Sequence, residues 1–353
     1  LNEKYINGLV NYANLKILLN EINAAIELLK KALSINTNNY IAHYNLATAY
    51  QTIGKYSDAL NHAELTIKTN PTFAPADKLI SALTKYNNKN VHLLDMESKL
   101  NNKNTNEIDK VYLNFGIAKA YEDLKDFDKF IKHIKKGNDI RKKIFQYNVK
   151  TDIILMNKIK LIFKDINYLD FKLKDPEKNI IFILGMPRSG SSLLQKMLSA
   201  HQKILGAGEL PFLQQILSKE ILDNFHLAGS FSSLENFAND YVKKISVFKG
   251  NEDFIIDKNP LNFLYAGFIK IFLPNAKIIH IKRNSKDNCF SCYKELFENL
   301  NFTDTQEDLL KFYNSYSDLM SFWNQNLKDF IHTISYEDLI NEPKSSIQKV
   351  LNF

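Results

Sequence analysis

The chain has 353 residues, 45% of them hydrophobic, and a formal net charge of +7. Such a length suits two or three domains, and the hydrophobic share excludes a chain that stays disordered for lack of a core. No run of about 18 or more uncharged apolar residues occurs, so the sequence predicts no membrane span. The positive charge fits anionic partners, nucleic acid or an anionic small molecule, without choosing between them.

The two cysteines, Cys289 and Cys292, form one C-x-x-C pair in a segment with helical spacing. A single pair without a second one is a weak sign of a metal or redox site, so we favour a structural role. The sequence starts at Leu1 with no charged-then-apolar leader, which fits a processed start as well as a fragment. With so few cysteines, the expected location is the cytoplasm.

The first 144 residues repeat with a period of about 34 residues. Residues 40–73 show the pattern best. They contain small alanines that let two helices approach, large residues that fill the space between them, a turn glycine and a proline that stops the second helix. These residues are Leu46, Ala47, Tyr50, Gly54, Tyr56, Ala59 and Pro71. The same spacing recurs in residues 6–39 and 111–144 and is weak in 74–107. This pattern resembles the tetratricopeptide family and predicts an all-α solenoid of paired helices over residues 1–144.

Such arrays present a groove that binds peptides or proteins. The array could instead only pack against the rest of the chain or pair two subunits in a homodimer, because a solenoid fold does not dictate a partner. Both alternatives stay open. Residues 145–178 continue with helical spacing up to Asp175 and Pro176, which predicts a helical bridge to a second domain.

A phosphate-binding loop is predicted at the start of that domain. Residues 180–184 are apolar, as in a buried parallel strand, and helical spacing begins at Ser191. A strand, a glycine loop and a helix N-terminus together bring backbone N–H groups to one anion. Gly185 and Gly190 have the spacing of a Walker A loop, but Ser191 stands where that loop has its lysine. Arg188 offers a fork-shaped cation suited to phosphate or sulfate.

A second phosphate-binding motif follows farther along the chain. Residues 278–281 predict a strand, Arg283 follows its end, and Ser291 lies in the next helical segment. An Arg and a Ser in these places can bond one phosphate. Tyr336 follows another predicted strand, where an aromatic side chain can be a core residue at the strand end. Because the carboxyl ends of parallel strands share one edge, both motifs could serve one cofactor.

The segment GMPRSGSSLL and the second motif together resemble sulfotransferases that use 3′-phosphoadenosine 5′-phosphosulfate (PAPS), above all the tyrosylprotein branch and bacterial repeat-containing relatives. The resemblance implies an α/β three-layer domain with a central parallel sheet, the P-loop-like sulfotransferase fold, over residues 179–353. It implies that the 5′ phosphosulfate is bound by Arg188, Ser189, Gly190, Ser191 and Ser192. It implies that the 3′ phosphate is bound by Arg283, Ser291 and Tyr336. Glu295 replaces a basic residue of the tyrosylprotein branch, so that contact is in doubt.

Sulfuryl transfer to a hydroxyl needs a base for the acceptor proton and cations for the transferring group. The position of Glu209 resembles that of the catalytic Glu of the tyrosylprotein branch, so we predict it as the general base, tuned by burial. The alternative is a surface carboxylate or a helix cap. His201 is a competing base, although a helix-ending role suits it better. Lys258 resembles the Lys that stabilises the bridging oxygen, and Arg188 is predicted to act with it.

These motifs predict a PAPS-dependent sulfotransferase that needs no metal and no nucleic-acid partner. Its acceptor would be a hydroxyl of a protein tyrosine, a glycan or a small molecule, and a protein acceptor could be recruited by the repeats. One alternative is a P-loop kinase, which Ser191 and the lack of a clear Walker B acid disfavour. The other is a catalytically dead repeat scaffold, against which the set of retained site residues argues.

Two further expectations concern the second domain. Aromatic residues in the range 212–250 form either part of an acceptor wall or ordinary core, and core is favoured for Phe212, Phe225, Phe231, Phe237 and Tyr241. The chain stops at Phe353 inside a predicted helix, whereas the family continues with a segment over the adenine and the 3′ phosphate.

Overall fold

The structure is a computed structural model that describes residues 5–19, 21–87, 90–168, 179–217, 231–248 and 252–353, without the side chains of 231–235. The chain divides into two compact units. The first comprises Leu1–Tyr147 and Tyr293–Thr305, and the second comprises Asn148–Cys292 and Gln306–Phe353. Within the described ranges no helix is long and apolar enough to cross a membrane.

The described part of the first unit contains four consecutive helix pairs joined by short turns. Their bounds are α1 (Ile6–Leu18), α2 (Ile22–Ile35), α3 (Tyr40–Thr52), α4 (Tyr56–Thr69), α5 (Ala74–Leu83), α6 (Val91–Asn101), α7 (Glu107–Asp123) and α8 (Phe127–Phe145). Alanines at the contacts are fully buried, among them Ala13, Ala25, Ala42 and Ala59. The predicted solenoid of paired helices is confirmed.

The weakly patterned residues 74–107 also form a helix pair, which a polar cluster holds together. Asp77 of α5 is fully buried. Its carboxylate accepts hydrogen bonds from Lys99 Nζ at 2.9 Å and from His92 Nε2 at 3.1 Å, both on α6. Because a buried charge must be paired, these contacts link α5 to α6 through polar side chains, beside the buried alanines Ala74 and Ala76 of α5.

Residues 293–305 belong to the repeat unit, although they lie far from the repeats in the sequence. The side chain of Arg141 on α8 donates to Asp304 Oδ1 at 2.7 Å and to Asn301 Oδ1 at 3.0 Å. Asn138 Nδ2 donates to the carbonyl of Tyr293 at 2.9 Å. The exposed fractions of the Arg141 and Asp304 side chains are 5% and 0%. A buried ion pair therefore fixes this segment to α8.

The second unit begins with α9 (Val149–Phe163), which provides the helix predicted within 145–178; Asp175 and Pro176 lie outside the described residues. Its described strands are β1 (Asn179–Gly185), β2 (Ile204–Gly206), β3 (Phe254–Lys258), β4 (Lys277–Lys282) and β5 (Ile331–Ser335). The remaining helices are α10 (Ser191–Leu198), α11 (Phe212–Ile216), α12 (Phe231–Ile245), α13 (Ala266–Phe272), α14 (Ser285–Tyr293), α15 (Gln306–Asn326), α16 (Tyr336–Asn341) and α17 (Pro343–Asn352). Short 3₁₀ helices cover Pro260–Tyr265, Asn301–Thr303 and Lys328–Phe330.

The described strands form one parallel five-stranded sheet in the order β2-β3-β1-β4-β5. Side chains alternate between its faces. Ile183 and Ile279 pack with Leu194 and Leu198 of α10 on one face. On the other face Phe182 contacts the ring of Tyr241 of α12, at 5.7 Å between centroids. Helices thus cover both faces, and the predicted three-layer α/β domain with a central parallel sheet is confirmed.

Candidate active site

The predicted site residues follow the carboxyl ends of all five strands. Arg188 comes three residues after β1, Glu209 three residues after β2, and Lys258 is the last residue of β3. Arg283 follows β4 directly, and Tyr336 follows β5 directly. Because the strands are parallel, their carboxyl ends lie at one edge of the sheet, where α/β proteins bind ligands.

The loop after β1 has the tight conformation expected of an anion-binding turn. Arg188 and Gly190 have positive φ angles of 65° and 103°. A Cβ on Gly185 would lie 2.3 Å from the carbonyl oxygen of Ile281, so only glycine allows β1 to approach β4 this closely. The loop ends at the N-terminus of α10, which begins at Ser191.

The loop contains a buried hydroxyl without a partner. In the described part of the chain, Ser189 Oγ is buried and has no hydrogen-bond partner. Ser191 is also buried, whereas the side chain of Ser192 is exposed. A buried polar group without a partner is costly and indicates a ligand or water that the protein chain alone does not provide. The serine, the helix N-terminus and Arg188 together fit a phosphate or sulfate group.

The two predicted phosphate motifs contact each other. Arg188 Nε donates to Ser291 Oγ at 3.3 Å. A guanidinium nitrogen of Arg283 donates to the backbone carbonyl of Arg188 at 3.2 Å. The guanidinium carbon of Arg283 lies 4.7 Å from the ring centroid of Tyr336. Residues far apart in the sequence are therefore brought into one cationic cluster.

Tyr336 lies beside the glycine loop and also packs against the apolar core around the sheet. Its side chain is half-buried. A Cβ on Gly190 would lie 2.4 Å from Tyr336 Cδ2, so the ring packs directly on the glycine of the loop. The next residue, Glu337, accepts a hydrogen bond from the backbone N–H of Asn284 at 2.8 Å. Burial alone would raise the pKa of Glu337, but this bond, the Ser335 hydroxyl and the charge of Arg283 lower it.

Glu209 and Lys258 form an ion pair at the end of β3. The exposed fraction of the side chain is 60% for Glu209 and 8% for Lys258. The sequence-based prediction that burial tunes Glu209 is therefore wrong, because the loop after β2 leaves its carboxylate open to solvent. The pairing with Lys258 is a feature that the sequence did not indicate.

His201 and Glu295 are not among the residues at the carboxyl ends of the strands. His201 is exposed and precedes β2, so it lies at the amino end of the sheet, where its Nδ1 contacts the backbone N–H of Lys203 at 3.2 Å. This agrees with the helix-ending role and not with a base. Glu295 belongs to the repeat unit, where it pairs with Lys78 at 3.6 Å.

Sequence reasoning missed several residues that support the loop. Asn288 Nδ2 donates to the carbonyl of Pro187 at 2.9 Å, and the Cys292 thiol contacts the same carbonyl at 3.2 Å. This contact gives Cys292 a structural role, as favoured from the sequence. The Tyr316 hydroxyl lies 2.6 Å from His280 Nε2 and accepts a hydrogen bond from the backbone N–H of Met186.

The only sequence signal for these supports was a polar residue inside a predicted apolar strand, His280. Burial lowers the pKa of His280 to about 4, so its ring is neutral at pH 7. A neutral ring can accept a hydrogen bond from the Tyr316 hydroxyl through Nε2 and donate one through Nδ1 to Thr333 Oγ1, 3.2 Å away.

Among the aromatic residues expected in the core, Tyr241 is buried, and its ring lies near those of Phe182 and Phe212. Phe237 packs on Phe272 at 5.9 Å between centroids. Phe225 and the side chain of Phe231 lie outside the described residues. In the described ranges, no group of three or more His, Cys, Asp or Glu side chains is arranged to hold a metal ion.

Two parts of the chain match known protein families. The sequence model described as "Sulfotransferase family" matches residues 180–353, and the one described as "Tetratricopeptide repeat" matches residues 17–83. An uncharacterized protein of Aquifex aeolicus is 28% identical over 275 residues, which are 73% of this chain and 36% of that protein. The protein-tyrosine sulfotransferase of Drosophila melanogaster is 26% identical over 198 residues, which are 50% of this chain and 38% of that protein.

Among solved structures, the sulfotransferase domain of the Synechococcus PCC 7002 olefin synthase is 22% identical, with a TM-score of 0.31. The match covers 51% of this chain and 76% of that one. The chain spans little more than a third of the length of the two curated relatives. By its two family matches, the chain belongs to the sulfotransferase family through residues 180–353 and carries tetratricopeptide repeats ahead of them.

Proposed function

We propose that the protein is a sulfotransferase that moves a sulfuryl group from PAPS to a hydroxyl acceptor. One observation carries the proposal: Arg188 of the first phosphate motif contacts Ser291 of the second, and Arg283 contacts the backbone of Arg188. A nucleotide with phosphates on both its 5′ and 3′ positions needs two anion sites close together. The cationic cluster at the sheet edge supplies both.

The residues at this edge fit the donor nucleotide. The loop of residues 185–190, the N-terminus of α10 and the buried Ser189 hydroxyl would bind the 5′ phosphosulfate. Arg283, Ser291 and Tyr336 would bind the 3′ phosphate, because a guanidinium and hydroxyls are suited to its oxygens. The lack of a Walker lysine at Ser191 disfavours a kinase.

Glu209 and Lys258 would act in the transfer step. Glu209 would take the proton of the acceptor hydroxyl while the acceptor oxygen forms its bond to sulfur. The bond between sulfur and the oxygen of the 5′ phosphate breaks in the same step. Lys258 and Arg188 would neutralise the charge that develops on that oxygen. The ion pair of Glu209 with Lys258 holds base and cation side by side.

For the acceptor, we propose a hydroxyl on a protein, with a tyrosine tested first and glycans and small phenols next. The repeats support a protein partner, because such arrays bind peptides. Part of the array is already used internally: Arg141 and Glu122 bind residues of the segment 293–305. The remaining surface of the array would recruit the acceptor.

Calorimetric titration with 3′-phosphoadenosine 5′-phosphate (PAP) in metal-free buffer tests the proposal. We expect PAP to bind more tightly than AMP or ATP. Arg283→Ala should weaken PAP binding by about 10- to 100-fold, since it removes a charge-assisted contact to phosphate. Lys203→Ala is the control, because this cation pairs with Asp253 at the opposite edge of the sheet and should leave PAP binding unchanged.

Turnover then separates an enzyme from a scaffold. Labelled PAPS is offered to tyrosine peptides, oligosaccharides and phenols, and Glu209→Gln should reduce transfer strongly while PAP affinity stays the same. Preference for ATP would contradict the sulfotransferase and favour a kinase. Tight PAP binding with no transfer to any acceptor or to water would favour the scaffold.

A further inference from the structure

The loop that carries Glu209 is held to β3 along its whole length. The backbone N–H of Ala207 donates to the carbonyl of Ile256 at 2.9 Å, and the N–H of Lys258 donates to the carbonyl of Gly208 at 2.9 Å. These bonds continue the pairing of β2 with β3 beyond the last residue of the strand. They fix the chain on the amino side of Glu209.

On the carboxyl side of Glu209, two side chains hold both backbone groups of Leu210. Its N–H donates to the carboxylate of Asp257. Its carbonyl accepts a hydrogen bond from Asn259 Nδ2 at 3.1 Å. Leu210 is buried, so its position is closely defined. Asp257 and Asn259 flank Lys258, the partner of Glu209, in the sequence.

Asp257 has the contacts of an anchor for several segments. It is fully buried, and the Tyr241 hydroxyl of α12 donates to its Oδ2 at 2.7 Å. Asn262 Nδ2, on the 3₁₀ helix after β3, donates to Oδ1 at 3.3 Å. A buried carboxylate is costly unless donors satisfy it. Here the donors come from a helix, a 3₁₀ turn and the Glu209 loop, so the carboxylate joins all three.

The side chain of Asp257 points away from the reacting groups. In the sheet register Asp257 lies beside Phe182, and Lys258 lies beside Ile183, so their side chains point to opposite faces. Its hydrogen bonds reach the Glu209 loop through the backbone of Leu210, and its charge also acts on the neighbouring Lys258. Asp257 therefore bears on catalysis through the placement of the loop, which amide exchange reports, and through its charge near Lys258, which amide exchange does not report.

We propose that Asp257 is a positioning residue that fixes Glu209 beside Lys258 by holding the backbone N–H of Leu210. Asn259 completes the clamp from the carbonyl side. The proposal rests on the sulfotransferase function, in which Glu209 is the base. It predicts that loosening the clamp lowers turnover without lowering nucleotide affinity, because the nucleotide contacts lie on other strand ends.

The test compares Asp257→Asn with the exposed control Asp253→Asn. We expect sulfate release from PAPS in water to fall by about tenfold or more in Asp257→Asn, while the Kd for PAP changes less than about twofold. Hydrogen exchange measured by mass spectrometry should show the amides of residues 207–210 exchanging about tenfold faster. Asp253→Asn should match the wild type in all three measurements.

A second variant removes the clamp from its other side. Asn259→Asp keeps the side-chain oxygen that accepts from the N–H of Leu261 but loses the donor to Leu210. Like Asp257→Asn, it should lower turnover and speed amide exchange in residues 207–210. If Asp257→Asn does not fold, this variant alone tests the proposal. Unchanged turnover and exchange would overturn the proposal, as would a parallel loss of PAP affinity. A wild type that binds no PAP would refute the proposed function. Hydrogen exchange of residues 207–210 would still test whether Asp257 and Asn259 hold the loop.

Discussion

Replacing Gly190 by alanine should damage the proposed nucleotide site through Tyr336. The φ angle of Gly190 is +103°, a conformation that L-residues rarely adopt. The added Cβ would lie 2.4 Å from Cδ2 and 3.0 Å from Cε2 of Tyr336. Carbon atoms do not approach this closely, so the ring must move or the loop must open. Either movement separates Tyr336 from Arg283, which stacks on it.

The size of the effect has two parts. Left-handed backbone at a residue with a Cβ costs about 1–2 kcal/mol. Fitting an extra methyl group against a packed ring adds about 1–3 kcal/mol. Gly208→Ala is a matched control, because Gly208 also has a positive φ of +82° but its Cβ would meet nothing within 4 Å. The difference between the variants therefore isolates the contact with Tyr336.

Urea unfolding followed by the fluorescence of Trp323 measures the stability part. This residue is the only tryptophan of the chain and is fully buried in the second unit. PAP titration measures the functional part, for which we expect Gly190→Ala to lose about tenfold or more, equal to about 1.4 kcal/mol, and Gly208→Ala to stay near the wild type. Equal losses of stability and affinity in the two variants would refute the reasoning.

Two other predictions concern buried charges. Arg141→Ala should lower the free energy of unfolding of the repeat unit by about 3–5 kcal/mol, because it removes the cation paired with the buried Asp304. Circular dichroism during urea unfolding measures this loss. The control Lys110→Ala breaks an exposed ion pair and should change the free energy of unfolding little. Burial raises the pKa of Asp257 to about 7, although its hydrogen bonds oppose the rise. The folded state therefore binds the proton of Asp257 more tightly than the unfolded state, in which the pKa of an Asp is about 4. This proton contributes about 4 kcal/mol to the free energy of unfolding below about pH 4, and the contribution is lost as the pH rises to about 7. Urea unfolding of wild type and Asp257→Asn across this range should show the difference, and parallel pH curves would contradict it.

The elements that the sequence predicted well are those with a strong local pattern. The apolar run 180–184, the glycine loop and the strand 278–281 all appear close to their predicted bounds. The strand β2 (Ile204–Gly206) was not predicted, because three residues are too few to show a period. Its place in the sheet is set by pairing with β3, which is a tertiary contact that no local pattern contains.

The residues that support the site were harder to find for a related reason. Asp257 and His280 each lie in a strand that ends at or near a motif residue, and the local sequence gave a signal only for His280, a polar residue inside an apolar run. Their partners, Tyr241 and Tyr316, lie on helices that come much earlier or later in the chain. Only the fold brings these groups together. The exposure of Glu209 was mispredicted for the same reason.

The geometry also suggests why a bisphosphate nucleotide should be preferred without a separate selectivity pocket. A Walker loop holds its phosphates with a lysine of its own, whereas the loop here would hold them with Arg188, which has a left-handed conformation. The carbonyl of Arg188 accepts from Arg283, and its guanidinium donates to Ser291. A 3′ phosphate bound by Arg283 and Ser291 would therefore act on the same two residues that hold the loop in place. If so, the affinities for the 5′ and 3′ groups are coupled, and the combined loss in an Arg283→Ala, Ser291→Ala double variant should differ from the sum of the single losses.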